Sequence, residues 1–194
     1  MRRTLFSLPN LVTWLRILLI PLIVGVFYFP DDWLSWEGRN ISATAIFIVA
    51  AITDWLDGYL ARKLDQMSAF GAFLDPVADK LIVVGALIVL LKEGRVDAVV
   101  ALIIIGREIA ISALREWMAK VGQAKSVAVA FIGKLKTVSQ MIAIPLLLFY
   151  DDGFWGLVDC QVLGTILINI AAVLTVVSML YYLRKALPYA SVRS

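Results

Sequence analysis

The chain has 194 residues, of which 61% are hydrophobic and only 17% are charged. This composition places it among membrane proteins, and its length has room for one domain. The net charge of +3 does not indicate nucleic-acid binding, because the basic residues are dispersed among apolar segments, and the single cysteine, Cys160, excludes an intramolecular disulfide and a cysteine-based metal site.

Apolar runs separated by polar links predict the fold. We expect an all-α integral membrane protein, one domain over residues 1–194, with six transmembrane helices and a short N-terminal amphipathic helix. Residues 1–10 combine Arg2 and Arg3 with apolar side chains, so this segment is predicted to lie along the membrane surface. Since one crossing takes about 20 residues, spans are predicted at about 11–29, 41–60, 70–91, 98–117, 127–150 and 162–183.

The distribution of Lys and Arg predicts the orientation of these spans. All of these residues except Arg39, Lys92 and Arg95 fall on one side of the predicted membrane, or in the helix halves that lead to it. Because basic segments remain in the cytoplasm, both termini are predicted to be cytoplasmic, and so is the link between the second and third spans.

An acidic motif flanks that link. Its members are Asp54, Asp57, Gly58, Ala61, Arg62, Gly71, Asp75 and Asp79. At about 3.6 residues per turn, the members before the polar link 63–68 share one face of a helix, and those after it share one face of the next helix. The link is short, so the two helices are predicted to be antiparallel neighbours whose acidic faces converge on one pocket.

The four aspartates of this motif predict a metal site, because carboxylates held close together repel one another unless a cation lies among them. The chain has no histidine and only one cysteine, so zinc, copper and iron would lack their preferred ligands. An all-oxygen set suits Mg²⁺ or Mn²⁺. Four acids could hold two ions about 4 Å apart, an arrangement suited to displacement at phosphorus.

The spacing Asp-x2-Asp-Gly-x2-Ala-Arg-x8-Gly-x3-Asp-x3-Asp resembles the signature of the CDP-alcohol phosphotransferases, integral membrane enzymes of phospholipid synthesis. The resemblance implies four metal ligands, namely Asp54, Asp57, Asp75 and Asp79. It implies that Asp79 also serves as general base and that Gly58 and Arg62 contact the nucleotide of CDP-diacylglycerol, from which CMP is displaced. A homodimer in the bacterial cytoplasmic membrane is implied as well.

Polar residues at the start of the first span form a second candidate group. Asn10, Thr13 and Arg16 recur every third residue, a spacing also compatible with a helix cap followed by an arginine that reaches toward the membrane surface. Their pattern is similar to the Asn-x2-Thr-x2-Arg opening of these synthases. We therefore predict that they line the site near the nucleotide or its phosphates.

Basic residues within the fourth and fifth spans form a third group. Arg107, Arg115, Lys134 and Lys136 lie in apolar surroundings, where charged groups face the protein interior or a wet cavity. We predict that they bind the phosphate of an anionic acceptor such as sn-glycerol 3-phosphate, for which an arginine fork is suited. The alternative is that Arg107 pairs with Glu108 and that the lysines are anchored at the membrane interface.

Three other interpretations of the whole chain remain open at this stage. A sister enzyme would use another acceptor, such as inositol phosphate, serine or a second phospholipid. A cation transporter would use the intramembrane aspartates as its ion site, although they cluster toward one end of two spans. A structural membrane scaffold would tolerate the loss of Asp75 and Asp79.

Overall fold

The structure of the protein is a computed structural model that describes residues 8–64, 69–123, 131–151 and 159–189. The described residues form six α-helices and one short 3-10 helix, without a strand. The helices are α1 (Leu8–Val26), α2 (Trp36–Leu64), α3 (Ala69–Lys92), α4 (Ala98–Lys120), α5 (Phe131–Phe149) and α6 (Cys160–Ala186), and the 3-10 helix is Leu187–Tyr189. The all-α prediction is thus confirmed for the described part of the chain.

Each predicted span falls on one helix, but the prediction for residues 8–10 was wrong. These residues belong to α1 and not to a separate surface segment, because Pro9 is accepted in a first helical turn, where the backbone N–H has no partner within the helix. Residues 1–7, the rest of the predicted surface segment, lie outside the described residues. At its other end α1 stops at Val26, before the predicted residue 29.

Side-chain caps explain why two helices begin earlier than predicted. The Ser35 hydroxyl oxygen accepts a 3.1 Å hydrogen bond from the Gly38 N–H, and α2 begins at residue 36, ahead of the predicted residue 41. The Asp159 carboxylate accepts hydrogen bonds from the N–H groups of Gln161 and Val162, and α6 begins at residue 160. Such caps satisfy N–H groups that a helix leaves without a partner in its first turn.

Two of the described helices are long and apolar enough to cross a membrane, at Ile132–Phe149 and Cys160–Tyr189. A shorter apolar stretch lies in α1, at Val12–Val26. Helices α2 and α3 contain the charged residues of the acidic motif, and α4 contains Arg107 and Arg115, so these three helices are less apolar. Six spans are therefore not confirmed by length and composition alone.

The main apolar core fills one half of the helix bundle. Its members come from all six helices and include the fully buried Ile23, Leu87, Leu90, Ile104 and Leu148. They lie in the C-terminal halves of α1, α3 and α5 and in the N-terminal parts of α2, α4 and α6, away from the link between α2 and α3. A small second cluster joins α4 to α6 on the other side, with Tyr182 at its centre. The half of the bundle nearest the acidic motif therefore combines this smaller cluster with most of the polar side chains of the site.

Arg95, in the turn between α3 and α4, joins neighbouring helices in the apolar half of the bundle. Its guanidinium is 7% exposed and donates to the carbonyl oxygens of Leu147 (3.1 Å) and Leu148 (2.9 Å) and to Asn40 Oδ1 (2.7 Å). It also lies 4.3 Å from the ring centre of Tyr150. Burial lowers the pKa of Arg95, and the nearby Glu93 opposes this shift. One cation thus joins the last carbonyl groups of α5 to the start of α2.

Candidate active site

The acidic motif lies at the adjoining ends of α2 and α3, where the sequence predicted it. Asp54 is on α2, and Asp75 and Asp79 are on α3. The carboxylates of Asp54 and Asp79 are 49% and 45% exposed, and both lie within hydrogen-bonding or ion-pairing distance of one buried cation. The predicted convergence of the two acidic faces is therefore confirmed for these two aspartates.

That cation is Arg16 of α1, which is fully buried. Its Nη1 donates a 2.5 Å hydrogen bond to Asp79 Oδ1 and lies 3.2 Å from Asp54 Oδ1. One turn earlier on the same helix, the buried Thr13 donates a 2.7 Å hydrogen bond to Asp75 Oδ1. Both residues therefore contact aspartates of the motif directly, and their predicted position near the nucleotide or its phosphates stays a prediction.

Other predicted site residues lie outside the part of the structure in which side chains are described. They are Asn10 on α1 and Asp57, Gly58, Ala61 and Arg62 on α2. Within the described side chains, no group of three His, Cys, Asp or Glu residues is close enough to hold a metal ion. The predicted set includes Asp57, so the four-ligand site stays a prediction.

A cavity of about 260 Å³ opens beside the aspartates, and we call it the aspartate cavity. Its polar lining residues are Arg16, Asp54, Asp79, Lys80, Glu108, Lys136, Thr137 and Gln140. They come from α1, α2, α3, α4 and α5, so five helices build one polar chamber. The rest of the wall is apolar and includes Ala51, Pro76 and Met141.

A second cavity, of about 270 Å³, lies between α3 and α4, and we call it the basic cavity. It is lined by Pro76, Lys80, Arg107, Glu108, Ile111, Ser112 and Arg115. Three cationic side chains and a hydroxyl group surround it, which is the chemistry that binds a phosphate group. Two of the residues predicted to bind the acceptor phosphate, Arg107 and Arg115, are therefore brought together here.

The two arginines are held by α6. Tyr182 is fully buried, and its ring centre lies 6.0 Å from the guanidinium carbon of Arg107 and 5.6 Å from that of Arg115. Arg107 Nη2 also lies 3.3 Å from the hydroxyl oxygen of the buried Ser178. An aromatic ring attracts cations to its face, so one tyrosine positions both guanidinium groups.

The two predicted lysines take different positions. Lys136 is 2% exposed and donates to Glu108 Oε1, on the wall of the aspartate cavity. Lys134 is exposed at the start of α5 and does not line either cavity. The alternative, in which Arg107 pairs with Glu108 and the lysines are anchored at the membrane interface, is found in part. Arg107 Nη1 lies 3.4 Å from Glu108 Oε1, as that alternative requires. Lys136, however, is buried and is not an interfacial anchor.

Several polar residues of the two cavities were missed by the sequence reasoning: Lys80, Ser112, Thr137 and Gln140. Gln140 could have been found, because it follows Lys136 by four residues and therefore shares a helix face with it. Lys80 directly follows the motif, and only packing reveals that it faces a cavity. Glu108 was considered only as a partner of Arg107.

Comparison with known proteins shows the family of this chain. Residues 6–177 match the family model of the CDP-alcohol phosphatidyltransferases, so the chain belongs to that family. Among its curated relatives are proteins of Escherichia coli (strain K12) and Shigella flexneri serotype 5b (strain 8401), both named CDP-diacylglycerol–glycerol-3-phosphate 3-phosphatidyltransferase. Each is 47% identical over 183 residues, which cover 93% of this chain and 95% of the relative.

Proposed function

We propose that this protein is a membrane enzyme that transfers the phosphatidyl group of CDP-diacylglycerol to sn-glycerol 3-phosphate, giving phosphatidylglycerol phosphate and CMP. Its family and the names of its relatives support this activity. The observation that carries the proposal is that the aspartate cavity adjoins a basic cavity, with Pro76, Lys80 and Glu108 on the walls of both. This arrangement supports a pyrophosphate donor in the aspartate cavity and a phosphorylated acceptor in the basic cavity.

Mg²⁺ or Mn²⁺, with two ions bound, is the proposed cofactor. The donor chemistry of the pocket fits, because every candidate ligand is a carboxylate and two of them already flank a positive charge, the Arg16 guanidinium. The proposed ligands are Asp54, Asp57, Asp75 and Asp79. When bound, such ions supply positive charge that neutralises pyrophosphate oxygens and stabilises the departing CMP.

Asp79 is the proposed general base. Its carboxylate takes the proton of the acceptor's primary hydroxyl as that oxygen bonds to the β-phosphorus of the donor. The bond between the β-phosphorus and the oxygen bridging it to CMP breaks, and CMP leaves with that oxygen. Arg16 keeps the Asp79 carboxylate oriented, since the 2.5 Å bond fixes one of its oxygens. Direct displacement of this kind needs no covalent enzyme intermediate.

Cationic residues bind the phosphate of the acceptor in this proposal. Arg107 and Arg115 are supported by their position in the basic cavity, to which Lys80 adds a third positive charge. Lys136 and Lys134 remain proposed contributors from α5, and Lys134 has the weaker support because it is exposed. A neutral acceptor such as serine would leave these cations without a counter-charge, whereas a phosphorylated alcohol supplies one.

The remaining proposals concern the nucleotide, the membrane and assembly. Gly58, Arg62 and Asn10 are proposed to contact the nucleotide together with Thr13 and Arg16. Six spans in the bacterial cytoplasmic membrane, with the site facing the cytoplasm, are supported by large apolar side chains that point outward, such as Leu102 (71% exposed), Ile109 (65%) and Val173 (64%). A homodimer is proposed from the resemblance to the family.

An acceptor panel tests the activity. Purified protein would be given CDP-diacylglycerol with sn-glycerol 3-phosphate, inositol phosphate or serine, and the release of CMP would be measured with and without a chelator. We expect CMP only with sn-glycerol 3-phosphate, with loss in chelator and recovery on adding Mg²⁺ or Mn²⁺. Asp79→Asn should be inactive. CMP release that requires a different alcohol would refute sn-glycerol 3-phosphate as the acceptor. Full activity in the presence of chelator would refute the proposed metal cofactor.

A further inference from the structure

The aspartate cavity and the basic cavity meet at three residues that line both of them, Pro76, Lys80 and Glu108. We propose that Glu108 is a specificity-determining residue, whose carboxylate accepts a hydrogen bond from the secondary hydroxyl of the acceptor. This inference rests on the proposed function and adds the chemical feature by which the same site selects its substrate. It assigns a role to Glu108, the one acidic side chain among the described residues that line the basic cavity.

The position of the acceptor follows from its two ends, the phosphate and the reacting hydroxyl, both of which the site must bind. Its phosphate belongs with Arg107 and Arg115 in the basic cavity, and its reacting primary hydroxyl belongs beside Asp79 in the aspartate cavity. The carbon atoms between these ends must therefore cross the boundary of the two cavities. In sn-glycerol 3-phosphate, the central carbon carries the secondary hydroxyl, so that hydroxyl lies at the boundary.

Of the described residues shared by the two cavities, only Glu108 can accept a hydrogen bond through its side chain. Pro76 has no polar side-chain atom, and the ammonium group of Lys80 only donates. A hydroxyl at the boundary has a proton to donate, and a carboxylate is the strongest acceptor available to it. The chemistry of the boundary thus matches a polyol and not a plain alkyl chain.

The Glu108 carboxylate is already fixed in place. Its Oε1 accepts from Lys136 Nζ and lies 3.4 Å from Arg107 Nη1, and the side chain is only 18% exposed. The contacts with Lys136 and Arg107 both use Oε1, whereas an ionised carboxylate has about four lone-pair sites over its two oxygens. Glu108 therefore has acceptor capacity to offer a substrate, in an orientation set by α4 and α5.

A substrate that lacks the secondary hydroxyl tests the inference. The ratio of kcat/KM for sn-glycerol 3-phosphate to that for 3-hydroxypropyl phosphate would be measured in the intact protein and in its variants. A hydrogen bond to a charged group predicts a ratio of roughly 10 to 100 in the unchanged protein. We expect the ratio to fall to about one tenth of that value or less in Glu108→Ala. Glu108→Gln, whose amide oxygen still accepts, should keep an intermediate ratio.

The ratio separates substrate recognition from a structural role. If Glu108 only held Lys136 in place, Glu108→Ala would slow both substrates equally and leave the ratio unchanged, and that result would overturn the inference. A matched control is Glu116→Ala on the same helix, where an exposed glutamate pairs with Lys120 away from both cavities. This control should keep the ratio of the unchanged protein. Inactivity of the unchanged protein toward sn-glycerol 3-phosphate would instead refute the proposed function.

Discussion

Arg16 of α1 and Asp79 of α3 are joined by a 2.5 Å hydrogen bond across 63 positions of sequence. Arg16 is fully buried, whereas the Asp79 carboxylate is 45% exposed toward the aspartate cavity. The bond therefore connects a helix without acidic residues to the centre of the acidic motif. Helix α1 is an integral part of the site, and its position determines where the proposed general base points.

Replacing Arg16 by Met should reduce the rate of CMP release at least about tenfold, because Asp54 and Asp79 lose a shared cation and Asp79 loses its orientation. Arg16→Lys keeps the positive charge without the guanidinium fork, so it should retain part of the activity. Initial rates at saturating donor and acceptor measure both variants. Unchanged rates in Arg16→Met would contradict a role for α1 in the site.

Thr13 should affect the response to metal through Asp75. In Thr13→Val the 2.7 Å hydrogen bond to Asp75 is lost, while a side chain of similar shape remains. Loss of such an outer-shell bond lowers metal affinity by about 10- to 100-fold, so the Mg²⁺ concentration for half-maximal activity should rise accordingly. Thr13→Ser keeps the hydroxyl and should restore the original requirement. An unchanged Mg²⁺ requirement in Thr13→Val would show that this bond does not support a metal ligand.

Tyr182 should act on the acceptor and not on the donor. Tyr182→Leu removes the ring beside Arg107 and Arg115, and a cation–π contact contributes about 0.5–2 kcal/mol, so the KM for sn-glycerol 3-phosphate should rise several-fold. The KM for CDP-diacylglycerol should change little, and Tyr182→Phe, which keeps the ring beside both arginines, should keep a lower KM for sn-glycerol 3-phosphate than Tyr182→Leu. Leu180, which is 53% exposed on the same helix, offers a control as Leu180→Ala. Equal rises in both KM values would indicate a general loss of structure.

Arg95 should affect stability and leave catalysis intact. Arg95→Met removes hydrogen bonds from a buried cation to α5 and to Asn40, each worth about 1.5–3 kcal/mol at most, so the unfolding temperature in detergent should fall. The specific activity of the folded fraction should not change, because the substitution lies in the apolar half of the bundle. Arg39→Met, which removes a more exposed ion pair with Asp31, should cost only about 0–1 kcal/mol. Equal unfolding temperatures of the two variants would contradict a stabilising role for Arg95.

The positions of the helices could be predicted because apolar runs and polar links are local features of the chain. Helix α1 begins at Leu8, ahead of the predicted residue 11, because a first helical turn accepts Pro9. The convergence of Asp54 with Asp79 was also predictable, since a short link forces α2 and α3 to be neighbours. Helices α2 and α6 begin earlier than predicted, because Ser35 and Asp159 cap their N-termini.

Contacts between distant helices could not be predicted from the sequence. The bonds of Arg16 to Asp79 and of Lys136 to Glu108 depend on how the helices are rotated and packed, which periodicity does not specify. Arg95 lies in a short polar turn, and its burial depends on the end of α5 and the ring of Tyr150. The pairing of Arg107 with Glu108 is an alternative that the sequence offers, but the position of Glu108 on the walls of both cavities depends on helix packing.

The separation of the apolar core from the polar chamber has a consequence for how this family diversifies. The main apolar core lies in one half of the bundle, and most of the polar residues that line the two cavities lie in the other half. Substitutions of the polar residues around the basic cavity therefore leave the main apolar core intact. Such an architecture allows a single helical framework to accommodate new alcohols while its phosphate chemistry stays the same.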